Sequence, residues 1–387
     1  MVKYFFDTEA NYQINEMVKV WPSEHKLVII ASKLLHMVHK VYDEEQQRKD
    51  LEFENKYNVQ IIRLDILLQI SSRVLYKGLK KVVAKEAPDV LFMHGFGDFN
   101  DLLFLYGENN YLTFRDCHMS WVASKNKFAK IYYRFFTLFF APLINKHKKY
   151  EKIYALGNEE KEYIKALGIS DERIEMLPHG YNNKTYFISQ ELKDITRTEL
   201  KVTKDEVLIS YIGKFDFNKE PHINFSVFDM LEPDFVEVNN LKFLFLGPKD
   251  KNYMESIFLP KLECFKYKNR VNILPGKKAD ELLGYYNASD ICLWPKETTL
   301  SSIHAQVSGC RVIMENHESN KERVVNQHDL FEIGNTKEAK DVLSRVIREI
   351  NEDTITVDVT PLENREYHKQ IKILIESWEQ LILEREK

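Results

Sequence analysis

The chain has little cysteine and no long apolar segment, and each lack excludes a class of protein. Its 387 residues include 4 cysteines, Cys117, Cys264, Cys292 and Cys310. Because they lack the short paired spacing of a zinc site or a disulfide framework, we expect reduced, structural thiols in a cytoplasmic protein. The N-terminal sequence MVKYFFDTEANYQ soon becomes polar and acidic, so we predict neither a secretion signal nor a membrane-spanning helix.

A strong excess of charge of one sign is also lacking. The formal net charge is -4 with 29% charged residues, so we expect no affinity for bulk nucleic acid. A hydrophobic content of 44% over this length indicates a globular protein of two domains. No repeat of solenoid length and no low-complexity tract is visible.

Apolar strand candidates alternate with amphipathic helical stretches, as in parallel sheets covered by helices on both faces. The first half has strand candidates at Lys26–Ala31, Val59–Leu64, Asp89–His94, Tyr111–Arg115 and Lys152–Leu156. The second half has candidates at Val207–Gly213, Lys242–Gly247, Arg270–Leu274, Ile291–Pro295 and Cys310–Met314. A turn-rich connection between the halves predicts one domain over 1–187 and another over 188–363, followed by a helix over 364–387 that packs back towards the N-terminal domain.

The segment YIGKFDFNKE, Tyr211–Glu220, carries the clearest chemical signal. An apolar strand ends at Gly213, where the backbone can turn without a side-chain clash. Lys214 and Lys219 follow and can converge on one anion. The segment therefore predicts a phosphate-binding turn, and a strand–loop–helix connection with two solvated lysines is the alternative.

Several segments in order resemble one known family. The second half contains, in sequence, YIGKFDFNKE, LKFLFLGPKD, NRVNILPGKKADELLGYYNASDICLWP and SSIHAQVSGCRVIMEN. These resemble the nucleotide-sugar domain of the family-4 retaining glycosyltransferases of the GT-B fold, also called glycosyl transferases group 1. Upstream, KGLKKVVAKEAPDVLFMHGFGDFN and ALGNEEKEYIKALGISDERIEMLPHGYNNKTYF resemble the acceptor side and the interdomain passage of that family. The resemblance covers nearly the whole chain, and it implies an α/β protein with two Rossmann-like, doubly wound parallel-sheet domains facing a cleft.

The resemblance also implies an activity. A relative of these enzymes would move a hexose from a nucleotide diphosphate sugar to a glycan or lipid-linked acceptor, with retention, in envelope or capsular polysaccharide synthesis. It would work in the cytosol or at the inner face of the membrane. The donor would be a substrate rather than a cofactor, and no Asp-x-Asp pair follows a strand, so we predict no essential metal. The alternatives are a catalytically degenerate nucleotide-sugar or glycan-binding homologue and a nucleotide-sugar epimerase of the same fold.

On the donor side, Lys214 and Lys219 match the family's basic pair, which stabilises the diphosphate leaving group, and we count them with Gly213 as donor-binding residues. A predicted helix begins after Thr299, Leu300, Ser301 and Ser302. Their hydroxyl and N–H groups would bind phosphates and sugar, or they would simply cap the helix.

The sequence departs from the family pattern at His304. The family has two glutamates separated by seven residues, and here the second position is His304 and the first is Lys296, with Glu297 one step off register. A carboxylate can accept from both ribose hydroxyls, whereas an imidazole offers one acceptor, so His304 would hold the ribose only in part. A surface or core helix histidine is the alternative.

On the acceptor side, His94, Gly95 and Phe96 follow one predicted strand, and Asp116 and His118 follow the next. By resemblance His118 would lie near the reacting sugar as a catalytic residue, and Asp116 would orient it or contact acceptor hydroxyls. The alternative is loop histidines satisfied by backbone groups.

A segment rich in aromatic residues and lysines occupies 125–152. It predicts peripheral contact with an anionic membrane surface or a domain helix whose aromatic face packs on the sheet. Different faces of one helix can do both.

Overall fold

The chain forms two structural units, which meet in sequence after His179. The computed structural model describes residues 1–10, 12–34, 42–70, 73–96, 99–104, 110–119, 129–147, 151–352 and 357–385. One unit is Met1–His179 together with Tyr367–Lys387, and the other is Gly180–Glu366. Tyr181 belongs with the second unit because it forms a parallel β-bridge with Glu366. The division therefore lies before the predicted boundary at 187.

Helices and strands alternate along most of the chain. The strands are β1 (Leu27–Ser32), β2 (Val59–Leu64), β3 (Ile66–Ile70), β4 (Arg73–Tyr76), β5 (Val90–Met93), β6 (Leu112–Cys117), β7 (Lys152–Ala155), β8 (Ile174–Met176), β9 (Val207–Ile212), β10 (Leu241–Gly247), β11 (Val271–Pro275), β12 (Ile291–Trp294), β13 (Arg311–Glu315) and β14 (Leu330–Phe331). The helices are α1 (Gln13–Lys19), α2 (Glu44–Tyr57), α3 (Leu79–Glu86), α4 (Asp101–Phe104), α5 (Ala129–Phe139), α6 (Ala141–His147), α7 (Asn158–Ala166), α8 (Gln190–Glu199), α9 (Ile223–Asp229), α10 (Pro233–Val238), α11 (Lys251–Tyr253), α12 (Leu259–Cys264), α13 (Ala279–Ala288), α14 (Ser301–Val307), α15 (Glu318–Lys321), α16 (Thr336–Asn351) and α17 (Tyr367–Arg385). A π-helical turn, Met254–Phe258, joins α11 to α12.

The first unit is built on a parallel sheet with the N-terminal residues in its middle. Strands β5, β6, β7 and β8 pair in that order, and β1 pairs with β2. Val2 bridges Ile30 of β1 and Met93 of β5, so it joins the two parts. Helix α17 covers this unit through Trp378, whose indole N–H donates to the Tyr154 hydroxyl at 3.0 Å.

The second unit is a six-stranded parallel sheet in the order β11-β10-β9-β12-β13-β14. Numbered along the chain, this is the 3-2-1-4-5-6 order of a dinucleotide-binding sheet. The strand order reverses between β9 and β12, and the crevice at the carboxyl ends of those two strands is where ligands of such sheets bind. Residues of β9 and β12 are buried along their whole length, as their unbroken apolar sequences predict.

Three of the cysteines, Cys117, Cys292 and Cys310, are buried free thiols, and Cys264 is an exposed free thiol. Within the described ranges, none of the helices combines the length and the hydropathy that a membrane span requires.

Helix α5 lies in the aromatic and basic segment. Phe136 is buried, and its ring lies 5.0 Å from that of Phe96. Other aromatic residues of the same helix are exposed, including Phe135 and Phe139. The helix therefore packs one aromatic face inward and leaves another uncovered, while 125–128 and 148–150 of the predicted segment lie outside the described residues.

Candidate functional site

Two histidines share one carboxylate in the first unit. His94 directly follows β5, and Asp116 lies inside β6, which runs further than the predicted strand that ended at Arg115. Asp116 Oδ2 is 2.6 Å from His94 Nδ1 and 3.0 Å from His118 Nε2. Asp116 Oδ1 accepts the Gly95 N–H at 2.6 Å. The structure thus brings together four of the predicted acceptor-side residues at the carboxyl ends of neighbouring strands.

Asp116 decides which ring nitrogen of each histidine faces it and carries hydrogen. Burial by itself would raise the pKa of Asp116, but His94 and His118 hold the pKa well below its usual range. Burial lowers the pKa of His94 to about 4, so its ring is neutral near pH 7. An ionised carboxylate can only accept, so His94 Nδ1 and His118 Nε2 both carry hydrogen. Nδ1 is therefore the nitrogen of His118 that remains for another contact.

Phe96 lies in the core rather than at the site. It is 6% exposed, with its ring against Phe136 and the Arg115 guanidinium 5.7 Å from its centroid. Its side chain therefore supports the turn that carries Gly95, and the predicted contact with an acceptor does not fit this burial.

Lys3 is a buried titratable residue that interacts electrostatically with this cluster, and sequence reasoning missed it. It is 5% exposed, and its Nζ lies 5.2 to 5.9 Å from the ring centroids of Tyr12, Phe5 and Phe6. Burial lowers the pKa of Lys3 to about 7, against the raising effect of the Asp116 charge. A lone lysine near an N-terminus carries no sequence signal, and only the bridging of Val2 into the sheet places it here.

The same three side chains are the residues that could hold a metal ion. His94, Asp116 and His118 offer one ligand atom each within 4.8 Å of one another, and they form the one such group in the described ranges. Ligand atoms around a tetrahedral metal with bonds of about 2.0 to 2.2 Å lie roughly 3.3 to 3.6 Å apart. The observed nitrogen–oxygen separations of 2.6 and 3.0 Å are instead those of hydrogen bonds.

In the second unit, two glycine turns lie against each other at the carboxyl ends of β9 and β10. The Gly213 N–H donates to the Leu246 carbonyl at 2.9 Å. A Cβ added to Gly247 would lie 1.7 Å from the Gly213 carbonyl oxygen, so this approach requires glycine. The turn after β9 is therefore held in place by its neighbour.

Lys219 joins the loops that follow β9 and β12. Its Nζ donates to the Thr298 carbonyl at 2.6 Å and lies 3.3 Å from Glu297 Oε2. Its backbone N–H donates to Asp216 Oδ1 at 2.9 Å. Lys214, in contrast, has an exposed side chain, and its carbonyl accepts from the Tyr211 hydroxyl at 2.6 Å. The Lys219 ammonium therefore lies between the two loops at the reversal point of the sheet.

Glu297 has a left-handed backbone with φ of 61°, which is uncommon for a residue other than glycine. The buried carboxylate of Glu315 holds it there, because Oε2 accepts the Glu297 N–H at 3.0 Å and Oε1 accepts the Gly334 N–H at 2.9 Å. Burial would raise the pKa of Glu315, but hydrogen bonds from His317, Gly334 and Glu297 hold the pKa below its usual range. A strained backbone at a ligand crevice is a common feature of functional sites.

The hydroxyls before α14 bond to their own turn. Ser302 is fully buried, and its hydroxyl donates to the Thr299 carbonyl at 2.8 Å. The Ser301 N–H donates to Thr299 Oγ1 at 3.3 Å, while Leu300 precedes the helix without a side-chain cap. In this structure these groups bond within their own turn, and their contact with phosphates and sugar stays a prediction.

His304 is a core residue, in contrast to its predicted ribose contact. It is 6% exposed, and its ring stacks on that of Tyr186 at 3.8 Å with an interplanar angle of 8°. Its Nε2 is buried without a hydrogen-bond partner, and burial lowers the pKa of His304 to about 3. A nucleotide could reach this nitrogen only if the stack opened.

Comparison with known proteins resolves the fold. No protein-family model and no curated protein sequence matches the chain. Among solved structures, a glycosyltransferase from Rickettsia africae matches with a TM-score of 0.69 and 15% identity, covering 99% of this chain and 97% of that one. Anabaena Alr3699/HepE in complex with UDP matches with a TM-score of 0.65 and 12% identity, covering 99% of this chain and 98% of that one. The lipopolysaccharide outer core galactosyltransferase WaaB matches with a TM-score of 0.64 and 13% identity, covering 97% of this chain and 98% of that one.

The chain has the GT-B fold. At these identities the likeness concerns the fold, and the predicted fold class is confirmed. Assignment to family 4 and retention of configuration stay predictions. In this GT-B chain, both clusters lie where parallel strands end: Lys219 and Glu297 after β9 and β12, and His94 and Asp116 at the ends of β5 and β6.

Proposed function

We propose that the protein is a glycosyltransferase that moves a hexose from a nucleotide diphosphate sugar to a glycan or lipid-linked acceptor. The observation that carries the proposal is the position of the Lys219 ammonium, between the two loops at the reversal point of a 3-2-1-4-5-6 sheet. The glycosyltransferases among the GT-B neighbours support the reaction class. The complex of HepE with UDP-glucose favours a uridine nucleotide as the donor.

Lys219 would bind the donor by exchanging partners. Its Nζ lies 3.3 Å from Glu297 Oε2, and the Glu297 side chain is about one-third exposed. A diphosphate offers more negative charge than one carboxylate, so it would draw the ammonium from Glu297. Because charge grows on the diphosphate as the glycosidic bond breaks, this contact would favour the transition state.

We further propose retention by front-face attack, in which the departing phosphate takes the acceptor proton. This route needs no carboxylate nucleophile and no metal. His118 would assist with Nδ1 accepting from a second hydroxyl of the acceptor, because the reacting hydroxyl gives its one hydrogen to the phosphate and His118 Nε2 donates to Asp116. An acceptor in envelope or capsular polysaccharide synthesis that is lipid-linked would require the protein to work at a membrane surface.

A second candidate is a nucleotide-sugar-binding homologue without turnover. Burial of His304 against Tyr186 favours it, because the position that would grip the ribose then offers no exposed acceptor. Loss of ribose contacts would weaken donor alignment more than diphosphate binding.

Incubation of the purified chain with UDP-, GDP- and ADP-sugars distinguishes these functions. We expect slow release of a nucleoside diphosphate from one donor without acceptor, and the product anomer in NMR reports retention. Binding without release would favour the second candidate, and an isomerised sugar nucleotide would identify an epimerase. Lys219→Ala should reduce the release, whereas Lys242→Ala, a half-buried lysine at the amino end of β10, should not.

A further inference from the structure

Helix α5 carries an exposed apolar stripe. Ile131, Phe135, Leu138 and Phe139 are 68%, 49%, 69% and 57% exposed. Their spacing of four, three and one residues puts them on one side of the helix. Clustered exposure of large apolar side chains is uncommon on a soluble surface and marks a contact surface.

The stripe is not needed to hold the helix on its own unit. The other side of α5 does this: Phe136 is buried against Phe96, and Tyr133 meets the buried Tyr163 ring edge-on at 5.5 Å. The exposed side chains are therefore additional to the packing that folds this unit.

The sequence on either side of the stripe is rich in positive charge. Residues 117–150 contain no Asp or Glu but seven Lys or Arg, namely Lys125, Lys127, Lys130, Arg134, Lys146, Lys148 and Lys149. The whole chain has a net charge of -4, so this concentration is local. Lys130 and Arg134 on α5 and Lys146 on α6 are exposed in the structure.

We propose that this face of α5 docks on an anionic lipid bilayer. The apolar side chains would enter the boundary between lipid headgroups and acyl chains, and the neighbouring cations would contact lipid phosphates, as in other interfacial helices. With 11 residues, α5 is too short to cross a bilayer and would lie along its surface. The proposal goes beyond the transferase reaction, because it needs neither donor nor acceptor.

The test is flotation of the full chain with vesicles of phosphatidylcholine alone or mixed with phosphatidylglycerol. We expect binding to the mixed vesicles that falls as salt rises, and little binding to phosphatidylcholine alone. The double variant Phe135→Asp/Leu138→Asp should bind at least about tenfold more weakly. Lys130→Gln/Arg134→Gln should lose roughly fivefold for each cation removed.

A matched control places the same change on another exposed apolar pair of this unit. Ile373→Asp/Leu383→Asp on α17 replaces two side chains that are 66% and 59% exposed, and we expect it to bind vesicles like the unsubstituted chain. Thermal unfolding verifies that every variant is folded.

The proposal is overturned by equal flotation of the α5 and α17 variants, or by no binding to anionic vesicles. A concentration-dependent dimer that Phe135→Asp/Leu138→Asp dissociates would assign the face to a second copy and also overturn it. Because vesicle binding is measured without nucleotide, failure here leaves the proposed function standing, and absence of nucleotide binding leaves the docking proposal standing.

Discussion

His118 donates from Nε2 to Asp116 Oδ2 at 3.0 Å, and this bond determines which nitrogen of His118 remains for a substrate. The same oxygen accepts from His94 Nδ1 at 2.6 Å, so one carboxylate orients two rings. Nδ1 of His118 is left as the acceptor, as the proposed contact with an acceptor hydroxyl requires.

Asp116→Asn should impair turnover more than donor binding. The carboxylate uses Oδ2 for both rings and Oδ1 for the Gly95 N–H, whereas the amide has one acceptor oxygen, so either the Gly95 N–H or both rings must face an N–H donor. We expect the transfer rate to fall by about a hundredfold or more, while UDP affinity stays within about twofold.

Asp43→Asn is the control for this change. Asp43 caps α2 of the same unit by accepting the Gln46 N–H at 2.9 Å, and asparagine caps equally well. Steady-state kinetics of both variants test the account, and an unchanged transfer rate in Asp116→Asn would remove the positioning role.

His304 should make stability depend on pH. Its pKa is about 3 in the fold against an ordinary 6.5, so the unfolded chain binds a proton between these values and the folded chain does not. The contribution of His304 to the free energy of unfolding is therefore fully present above pH 6.5 and is lost as the pH drops towards 3. We expect this residue to account for a loss of about 2 kcal/mol between pH 7 and pH 5.

His304→Phe keeps a ring against Tyr186 and removes the proton site, so denaturant unfolding at the two pH values should show a smaller loss. His328→Gln, at an exposed position, should leave the loss unchanged. Equal pH dependence in His304→Phe and the unsubstituted chain would mean that His304 is solvated in solution.

Gly247→Ala should destabilise the second unit strongly. Its Cβ would lie 1.7 Å from the Gly213 carbonyl oxygen, a backbone atom that cannot rotate away. We expect a cost of about 3 kcal/mol or more in urea unfolding, together with weaker nucleotide binding because the turn at Gly213 must move.

Gly334→Ala separates the clash from backbone strain. Gly334 has φ of 77° and open space around its Cα, so alanine there should cost only about 1 kcal/mol. Similar costs for the two substitutions would show that the turns after β9 and β10 do not constrain each other.

The sequence predicted the parallel strands of the second unit best, because strands buried on both faces read as unbroken apolar runs. Each of the five strands predicted there, from Val207–Gly213 to Cys310–Met314, differs from the structure by one residue at most at either end. The short β8 and β14 and the antiparallel β3 and β4 were missed. Strands of two or three residues carry no pattern, and β3 is largely exposed.

The candidate sites were predictable in part. Glycine and lysine after β9 and histidine and aspartate near β5 and β6 are local signals. The roles of Lys3, Glu297 and His304 are not indicated by the sequence around them. They depend on the bridging of Val2 between two strands, on a hydrogen bond from Glu315, and on a stack with Tyr186. These contacts join residues far apart in sequence, and single-residue patterns do not encode them.

The central claim is that Lys219 binds a nucleotide diphosphate, and calorimetric titration with UDP, GDP and ADP tests it most directly. We expect one nucleotide to bind, and Lys219→Ala to weaken it by about 1 to 3 kcal/mol, since a charged hydrogen bond is lost. Lys242→Ala, with a side chain of similar exposure paired to Glu206 at 3.4 Å, should bind normally. Unchanged affinity in Lys219→Ala, or no binding of any nucleotide by the folded chain, would contradict the account.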